Sequence, residues 1–97
     1  MASRAVITRE AAETLAIQAL TYLAGEPERL ARFLASTGIG PDSLRAAAHE
    51  PLFLAGVLDH VATDEALLTD FAAQANIDPR AIGEACTALA RKERDTS

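Results

Sequence analysis

Apolar residues recur at helical spacing along most of the chain, and the runs between them are bounded by residues typical of helix ends. Prolines and acidic or hydroxyl side chains stand where helices begin, and glycine or asparagine stands where they end. The pattern predicts six helices. The first runs from Arg9 to Ala24, with Thr8 as N-cap and Gly25 at its end; the second begins at Pro27 and stops at Gly38; and a short third begins at Pro41. The fourth spans Pro51–Ala62, the fifth is capped by Thr63 or Asp64 and stops at Asn76, and the sixth is capped by Asp78 and begins at Pro79.

The fourth of these helices, Pro51–Ala62, is apolar on nearly every side, which is typical of a buried helix. Its bulky face carries Leu54, Val57, Leu58 and Val61. The opposite face carries Ala55 and Gly56, small residues that we expect to let a neighbouring backbone approach closely. The sequence therefore predicts a central helix that is contacted on two sides.

Two segments correspond at a constant offset of 38 residues, Phe33–Ala48 and Phe71–Cys86. Each reads as a helix, a tight turn and a second helix, with Gly38 and Asn76 at the positions that tolerate a left-handed backbone. We therefore expect an all-α fold, a compact bundle of five to six short helices in which two helix-turn-helix units pack around the central apolar helix, residues 51–62. Two independent uses of one common turn are the alternative explanation of the correspondence.

A chain of 97 residues predicts a single helical domain, 1–97, frayed at 1–7 and 93–97. The formal net charge of −5 argues against a general binder of polyanions, because affinity for phosphate backbones comes mainly from Lys and Arg. Charges at Arg4, Arg9 and Glu10 interrupt any signal-peptide or membrane-spanning pattern, which predicts a cytoplasmic protein with no membrane contact. The single cysteine, Cys86, is interpreted as a small buried side chain rather than a reactive thiol.

The first helix has a wider apolar face than a surface helix needs. Only Glu10, Thr14, Gln18 and Thr21 form a polar stripe, and the remaining circumference is apolar. Either this face packs against two neighbouring helices, or a second subunit covers part of it. The candidate interface residues on this helix are Leu15, Ile17 and Tyr22.

DNA binding is the alternative function, because the Phe33–Ala48 segment resembles the helix-turn-helix of bacterial transcriptional repressors. The second segment fits that motif better, since Ala72 supplies the small residue that the tight crossing of two helices needs. The expected recognition helices are poor in hydrogen-bond donors, and Arg45 and Arg80 are the candidate DNA contacts. Nucleic acid is therefore an alternative partner and not the leading one.

No residue set in the sequence has the spacing of a catalytic or metal site. His60 and Asp64 stand four apart with Asp59 beside them, but a helix boundary separates them and a third convincing ligand is missing. His49 is interpreted as a solvated residue near a helix end. There is no glycine-rich phosphate loop after a strand, and no nucleophile has a base at a recognisable spacing. We therefore predict no metal, no cofactor and no enzymatic activity.

Four short motifs occur in order along most of the chain: Pro-Glu-Arg-Leu, Phe-Leu-Ala-x-Thr-Gly, Glu-Pro-x-Phe-Leu-Ala and Asp-Glu-Ala-Leu-Leu. In this order they resemble the small bacterial family catalogued as domain of unknown function 3572. The resemblance implies a compact all-helical cytoplasmic protein and supplies no activity, ligand or functional residue. The leading hypothesis is a non-enzymatic module for protein–protein interaction or self-association, whose partner is a second copy of the chain or another protein.

Overall fold

The structure is a computed structural model that describes residues 8–95, with the side chains of residues 8–40 and 42–90. Within these residues the chain forms helices and no strand, which confirms the all-α prediction. The elements are α1 (Arg9–Ala24), α2 (Pro27–Thr37), a 3-10 turn (Pro41–Ser43), α3 (Leu44–Ala47), α4 (Pro51–Ala62), α5 (Glu65–Ala75) and α6 (Pro79–Asp95).

Side-chain oxygens cap three of the helices at the positions that the sequence predicts. The hydroxyl of Thr8 accepts a hydrogen bond from the Ala11 amide at 3.0 Å, and Asp64 accepts from two amides of the first turn of α5. Asp78 accepts from the Arg80 amide at 2.9 Å. These bonds satisfy amides that have no partner inside their own helix, which fixes where each helix begins.

Two helices end in a left-handed residue, as the sequence predicts. Gly38 has φ 77° after α2, and Asn76 has φ 59° after α5. Gly25 ends α1 differently, because it keeps a right-handed conformation with φ −70°. There the change of direction falls on Glu26, which is extended because the ring of Pro27 disfavours a helical conformation in the residue before it.

The core is built where α1, α4 and α6 meet. Helix α4 makes its most extensive contacts with α6, and α1 packs against both. Helix α2 adds the buried ring of Phe33, whose centroid lies 5.6 Å from that of Phe53 in α4. The fully buried large side chains are Phe33, Leu23, Leu58, Ile82, Leu89, Val57 and Val61.

Helix α4 is central and is contacted by α1, α5 and α6, but its small face, which carries Ala55 and Gly56, is only partly covered. Leu54, Val57 and Leu58 are buried, and Ala55 is buried where its carbonyl oxygen lies 3.3 Å from the Cys86 sulfur of α6. The prediction that Gly56 allows a close approach is wrong, because Gly56 is exposed and a Cβ there would meet no atom within 4 Å. Small size alone does not show that a residue lies at a helix contact.

The wide apolar face of α1 belongs mainly to the bundle. This helix contacts α2, α4, α5 and α6, and its buried residues are Ala12, Leu15, Ala16, Ala19 and Leu23. Four neighbouring helices explain why so much of its circumference is apolar. Helix α1 is therefore as central to the bundle as α4.

The two corresponding segments share their turn and then diverge. Phe33 and Phe71 are both buried, and Ile39 and Ile77 are both half-buried after the left-handed residue. The second segment continues into the 17-residue helix α6, whereas the first continues into a 3-10 turn and the four-residue helix α3. The correspondence is thus one of helix ends and turns rather than of complete units.

The described chain is flat, with extents of 44 × 34 × 17 Å and a radius of gyration of 13.1 Å. The short dimension matches two layers of helices, whose axes lie about 8–10 Å apart when packed. The expected fraying of residues 1–7 and of residues 96–97 lies outside the described residues. Residues 93–95, also expected to fray, continue the backbone of α6.

Candidate interaction surface

The three candidate interface residues of α1 lie in three different environments. Leu15 is buried at 7% exposure and belongs to the core. Tyr22 is half-buried, with its ring packed against Phe71 of α5 at a centroid distance of 5.3 Å. Ile17 is 42% exposed, so it is the member of this set that is available to a partner.

A shallow groove of about 270 Å³ runs between α1 and α5 beside Ile17. Helical geometry places Ile17 at its rim, since Gln18 is the next residue and Thr21 lies one turn further along. The Thr21 hydroxyl donates a hydrogen bond to the Ile17 carbonyl oxygen at 2.9 Å, and the Ile17 residue remains 42% exposed. The residues that line the groove are Gln18, Thr21, Tyr22, Phe71, Gln74 and Ala75.

At one end of the groove, three side chains donate hydrogen bonds to the carboxylate of Asp70 and form a network. The Tyr22 hydroxyl donates to Asp70 Oδ2 at 2.6 Å, and Gln74 Nε2 donates to the same oxygen at 3.3 Å. Arg29 of α2 reaches this oxygen at 3.4 Å while its guanidinium carbon lies 4.4 Å from the centroid of the Tyr22 ring. The network therefore joins α1, α2 and α5, and it places the Arg29 charge over an aromatic face.

The network keeps Tyr22 neutral. Burial of its hydroxyl, with a further contribution from the hydrogen bond to Asp70, raises the pKa of Tyr22 to about 12. At neutral pH the phenol is therefore a hydrogen-bond donor to the carboxylate and not a proton acceptor.

The outer surface beside the groove presents six uncharged side chains, bordered by Glu10, one turn before Thr14, and by Asp70, whose side chain is 46% exposed. We call it the neutral face: Thr14, Ile17, Gln18 and Thr21 of α1 with Gln74 and Ala75 of α5. The nearest acidic residue along α1 is Glu13, which is half-buried and lies on the side of Ile17 away from the groove. The centres of protein interfaces are likewise depleted in charge.

The sequence predicts Ile17 and Tyr22 as interface residues but does not indicate most of the residues around them. The polar stripe of α1 contains Thr14, Gln18 and Thr21, so their exposure is readable from the helical pattern. The positions of Asp70 and Gln74 are not readable in this way, because Asp70 accepts a hydrogen bond from Tyr22 across 48 positions of the sequence and Gln74 lines the same groove from α5. No local pattern shows which residue of α5 faces which residue of α1.

The candidate DNA contacts lie apart from this surface. Arg45 is exposed in α3, a helix of only one turn, and Arg80 is exposed in the first turn of α6. Two nitrogens of the Arg80 guanidinium donate to Asp78, at 3.3 and 2.9 Å. These hydrogen bonds lower the pKa of Asp78 and raise that of Arg80. DNA binding stays a prediction, with one of its two arginines already paired to a carboxylate.

His60 and Cys86 both pack against neighbouring helices. His60 packs against Phe33 with ring centroids 5.1 Å apart, and no group of three or more His, Cys, Asp or Glu residues in the described part of the chain is placed to hold a metal ion. The half-buried Cys86 thiol lies near Ala55, and burial, with a smaller effect from Asp59, raises its pKa. A raised pKa lowers the fraction of thiolate at neutral pH, and the cysteine is less reactive because the thiolate is the nucleophile.

Comparison with known proteins identifies the family and nothing narrower. Residues 9–92 match the model of the family described as protein of unknown function (DUF3572), and the chain belongs to this family. No curated protein and no solved structure matches the chain. Among the described residues, no helix has both the length and the apolar character that crossing a membrane requires.

Proposed function

We propose that this chain, a member of a family of unknown function, is a non-enzymatic self-association module that forms a two-fold dimer through the neutral face. The observation that carries the proposal is the position of an exposed aliphatic side chain, Ile17, beside an uncharged groove on the same surface. In a two-fold interface each residue meets the same surface of the other copy. A projection and a groove side by side can therefore fill one another reciprocally, with each Ile17 in the partner's groove.

The chemistry of the neutral face favours a second copy as its occupant. Each chain has a formal net charge of −5, so two copies repel one another wherever their charged surfaces approach. Contact through the neutral face reduces that repulsion, because the side chains that meet there are uncharged. Gln18 and Gln74 each carry both hydrogen-bond donors and acceptors, so these residues can pair with their own copies across a two-fold axis. A surface of one charge sign has no such self-complementarity.

The groove is better suited to an apolar side chain than to catalysis. Its volume of about 270 Å³ lies below the range of about 300–1,000 Å³ that small-molecule sites occupy. Its one ionisable lining residue is Tyr22, whose pKa is raised to about 12. A shallow surface with an aromatic floor and amides at its rim is typical of a protein contact.

The test is a solution mass measurement by light scattering over a concentration series from micromolar to millimolar. The unchanged protein is expected to shift from monomer to dimer, and the Ile17→Glu variant is expected to weaken association by about thirtyfold or more, as the loss of a central interface side chain does. Leu52→Glu is the matched control, because Leu52 is the other large hydrophobic residue that is exposed among the described side chains, at 58%, and it lies on α4 and does not line the groove. Its dimer constant is expected to stay unchanged.

Two further measurements separate this dimer from other associations. Thr21→Phe places a ring on the rim of the groove without adding charge, and it is expected to weaken the dimer as Ile17→Glu does. Added salt is expected to strengthen the dimer or leave it unchanged, because salt screens the repulsion between acidic chains. A protein that stays monomeric throughout, or a dimer that is indifferent to Ile17→Glu, contradicts the proposal.

A further inference from the structure

The segment between α2 and α4 is only weakly attached to the bundle. From Leu34 to Phe53 no described side chain is fully buried, and α3 contributes none to the core. The core and the half-buried side chains that pack on it include no residue between 35 and 52. The apolar residues of this segment that are half-buried are Ile39, Leu44, Ala47 and Ala48.

The backbone of the segment is held by local hydrogen bonds. The amides of Ser43, Ala48, His49 and Glu50 donate to carbonyl oxygens only three or four residues earlier. The Ile39 amide donates to the hydroxyl of Thr37, two residues away. Local bonds are broken and remade when a segment opens and closes, without cost to the rest of the fold. Segments with few buried contacts open at a free energy well below that of global unfolding.

Aromatic side chains that flank the segment on either side contact one another. Phe33 precedes it and Phe53 follows it, and their ring centroids lie 5.6 Å apart; the His60 ring also packs against Phe33, with centroids 5.1 Å apart. These rings hold the two ends of the segment close together. The segment can therefore leave the surface while α2 and α4 remain packed on one another, as in a compact surface loop whose ends meet.

We propose that residues 38–50 form a flap that opens and closes as one unit while the helical bundle stays folded. One hinge is Gly38, whose φ of 77° is available to glycine at low cost, and the other is Glu50, which is extended before Pro51. Opening transfers Ile39, Leu44 and Ala47 from a half-buried position into water. The flap thus changes the apolar surface that the protein exposes, independently of the neutral face.

Native-state hydrogen exchange at increasing urea tests the flap. The amides of Ser43, Ala48, His49 and Glu50 are expected to share one opening free energy, with exchange about hundredfold or more faster than the amides in the middle of α4. That ratio corresponds to an opening free energy lower by about 2.8 kcal/mol. The exchange of these four amides is also expected to depend weakly but measurably on urea, because a cooperative opening exposes surface and a local fluctuation does not.

Two glycine variants test the hinge and are expected to act in opposite directions. Gly38→Ala strains the closed state at positive φ and should speed exchange of the flap amides about fivefold. Gly40→Ala adds a methyl group where no atom lies within 4 Å, and it restricts the open segment, so exchange should slow about twofold.

Three results would overturn the flap. Four unrelated opening free energies would mean independent fraying rather than one unit. Protection equal to that of α4 would mean that the segment opens only when the whole bundle unfolds. Flap exchange that is unchanged in Gly38→Ala, while globally exchanging amides speed up, would remove Gly38 as a hinge.

Discussion

At the residue scale, the most constrained polar contact is the hydrogen bond between Tyr22 and Asp70. It is 2.6 Å long, it joins α1 to α5, and Arg29 stacks on the same ring. A hydrogen bond to a charged acceptor is stronger than one between neutral groups, and this one is partly shielded from water. It fixes the groove floor beside Ile17, so it links the stability of the bundle to the shape of the proposed interface.

The titration of Tyr22 is expected to show this contact directly. Tyr22 is the single tyrosine of a chain without tryptophan, so near-ultraviolet absorbance reports its ionisation alone. The midpoint is expected at a pH of about 12 in the folded protein and at about 10 in urea, and closer to 10 in the folded Asp70→Asn variant. Far-ultraviolet circular dichroism checks that the helices persist over the titration.

The same shift sets the sign of the pH dependence of stability. Because the pKa of Tyr22 is higher in the folded state than in the unfolded state, its contribution to stability is complete below pH 10 and is lost as the pH rises toward 12. A folded-state midpoint at pH 10 would show that the hydroxyl is solvated and that the contact with Asp70 does not form.

At the element scale, the ends of the helices decide where the chain turns. Gly38 and Asn76 are the two described residues with positive φ, and each lies between a helix and the residues that lead to the next. The Ile77 amide donates to the Ala72 carbonyl oxygen at 3.0 Å after Asn76, which satisfies a carbonyl at the end of α5. The turn therefore sets the direction in which α6 approaches α4.

Substitution of Asn76 tests the left-handed turn. Asn76→Ala is expected to lower the free energy of unfolding by about 1–2 kcal/mol, because alanine pays the full steric cost at positive φ. Asn76→Gly is the matched control and is expected to stay within about 0.5 kcal/mol of the unchanged protein. Urea unfolding measures both. Equal effects of the two variants would mean that the asparagine side chain, and not the backbone angle, matters here.

At the scale of the whole molecule, three long helices carry the core and the others complete it. Helices α1, α4 and α6 contact one another, α5 packs against all three, and α2 covers one end with Phe33. Two of these helices also carry exposed hydrophobic residues, Ile17 on α1 and Leu52 on α4. Central position in the bundle and exposure to a partner are thus properties of different sides of the same helix.

Substitution of two leucines of α4 compares the buried face of this helix with its exposed face. Leu58→Ala is expected to lower the free energy of unfolding by about 2–5 kcal/mol, because it leaves a cavity at a fully buried position. Leu52→Ala, in the same helix at 58% exposure, is expected to change it by no more than about 0.5 kcal/mol. Thermal or urea unfolding measures the difference. Similar effects would mean that the two faces of α4 are equally covered.

The sequence by itself determined the helices and their limits. Thr8, Asp64 and Asp78 act on amides two or three residues away, and Gly38 and Asn76 act on their own backbone angles, so local chemistry is sufficient to place these ends. Helical periodicity likewise identified inward-facing residues such as Phe71, Ala72 and Ile82. The limits of this local information appear at α3, where the sequence predicts a helix from Pro41 and the structure has a 3-10 turn before a single helical turn.

Only the tertiary structure decided which apolar surfaces stay open. Leu15 and Ile17 are equally apolar in the sequence, yet one is buried under neighbouring helices and the other is exposed. Gly56 has the small size of a contact residue and has no neighbour. Asp70 accepts a hydrogen bond from Tyr22, which lies 48 positions earlier in the sequence. Burial depends on how many neighbours a helix has and on which sides they pack, and that arrangement is set by contacts between distant segments rather than by any local pattern.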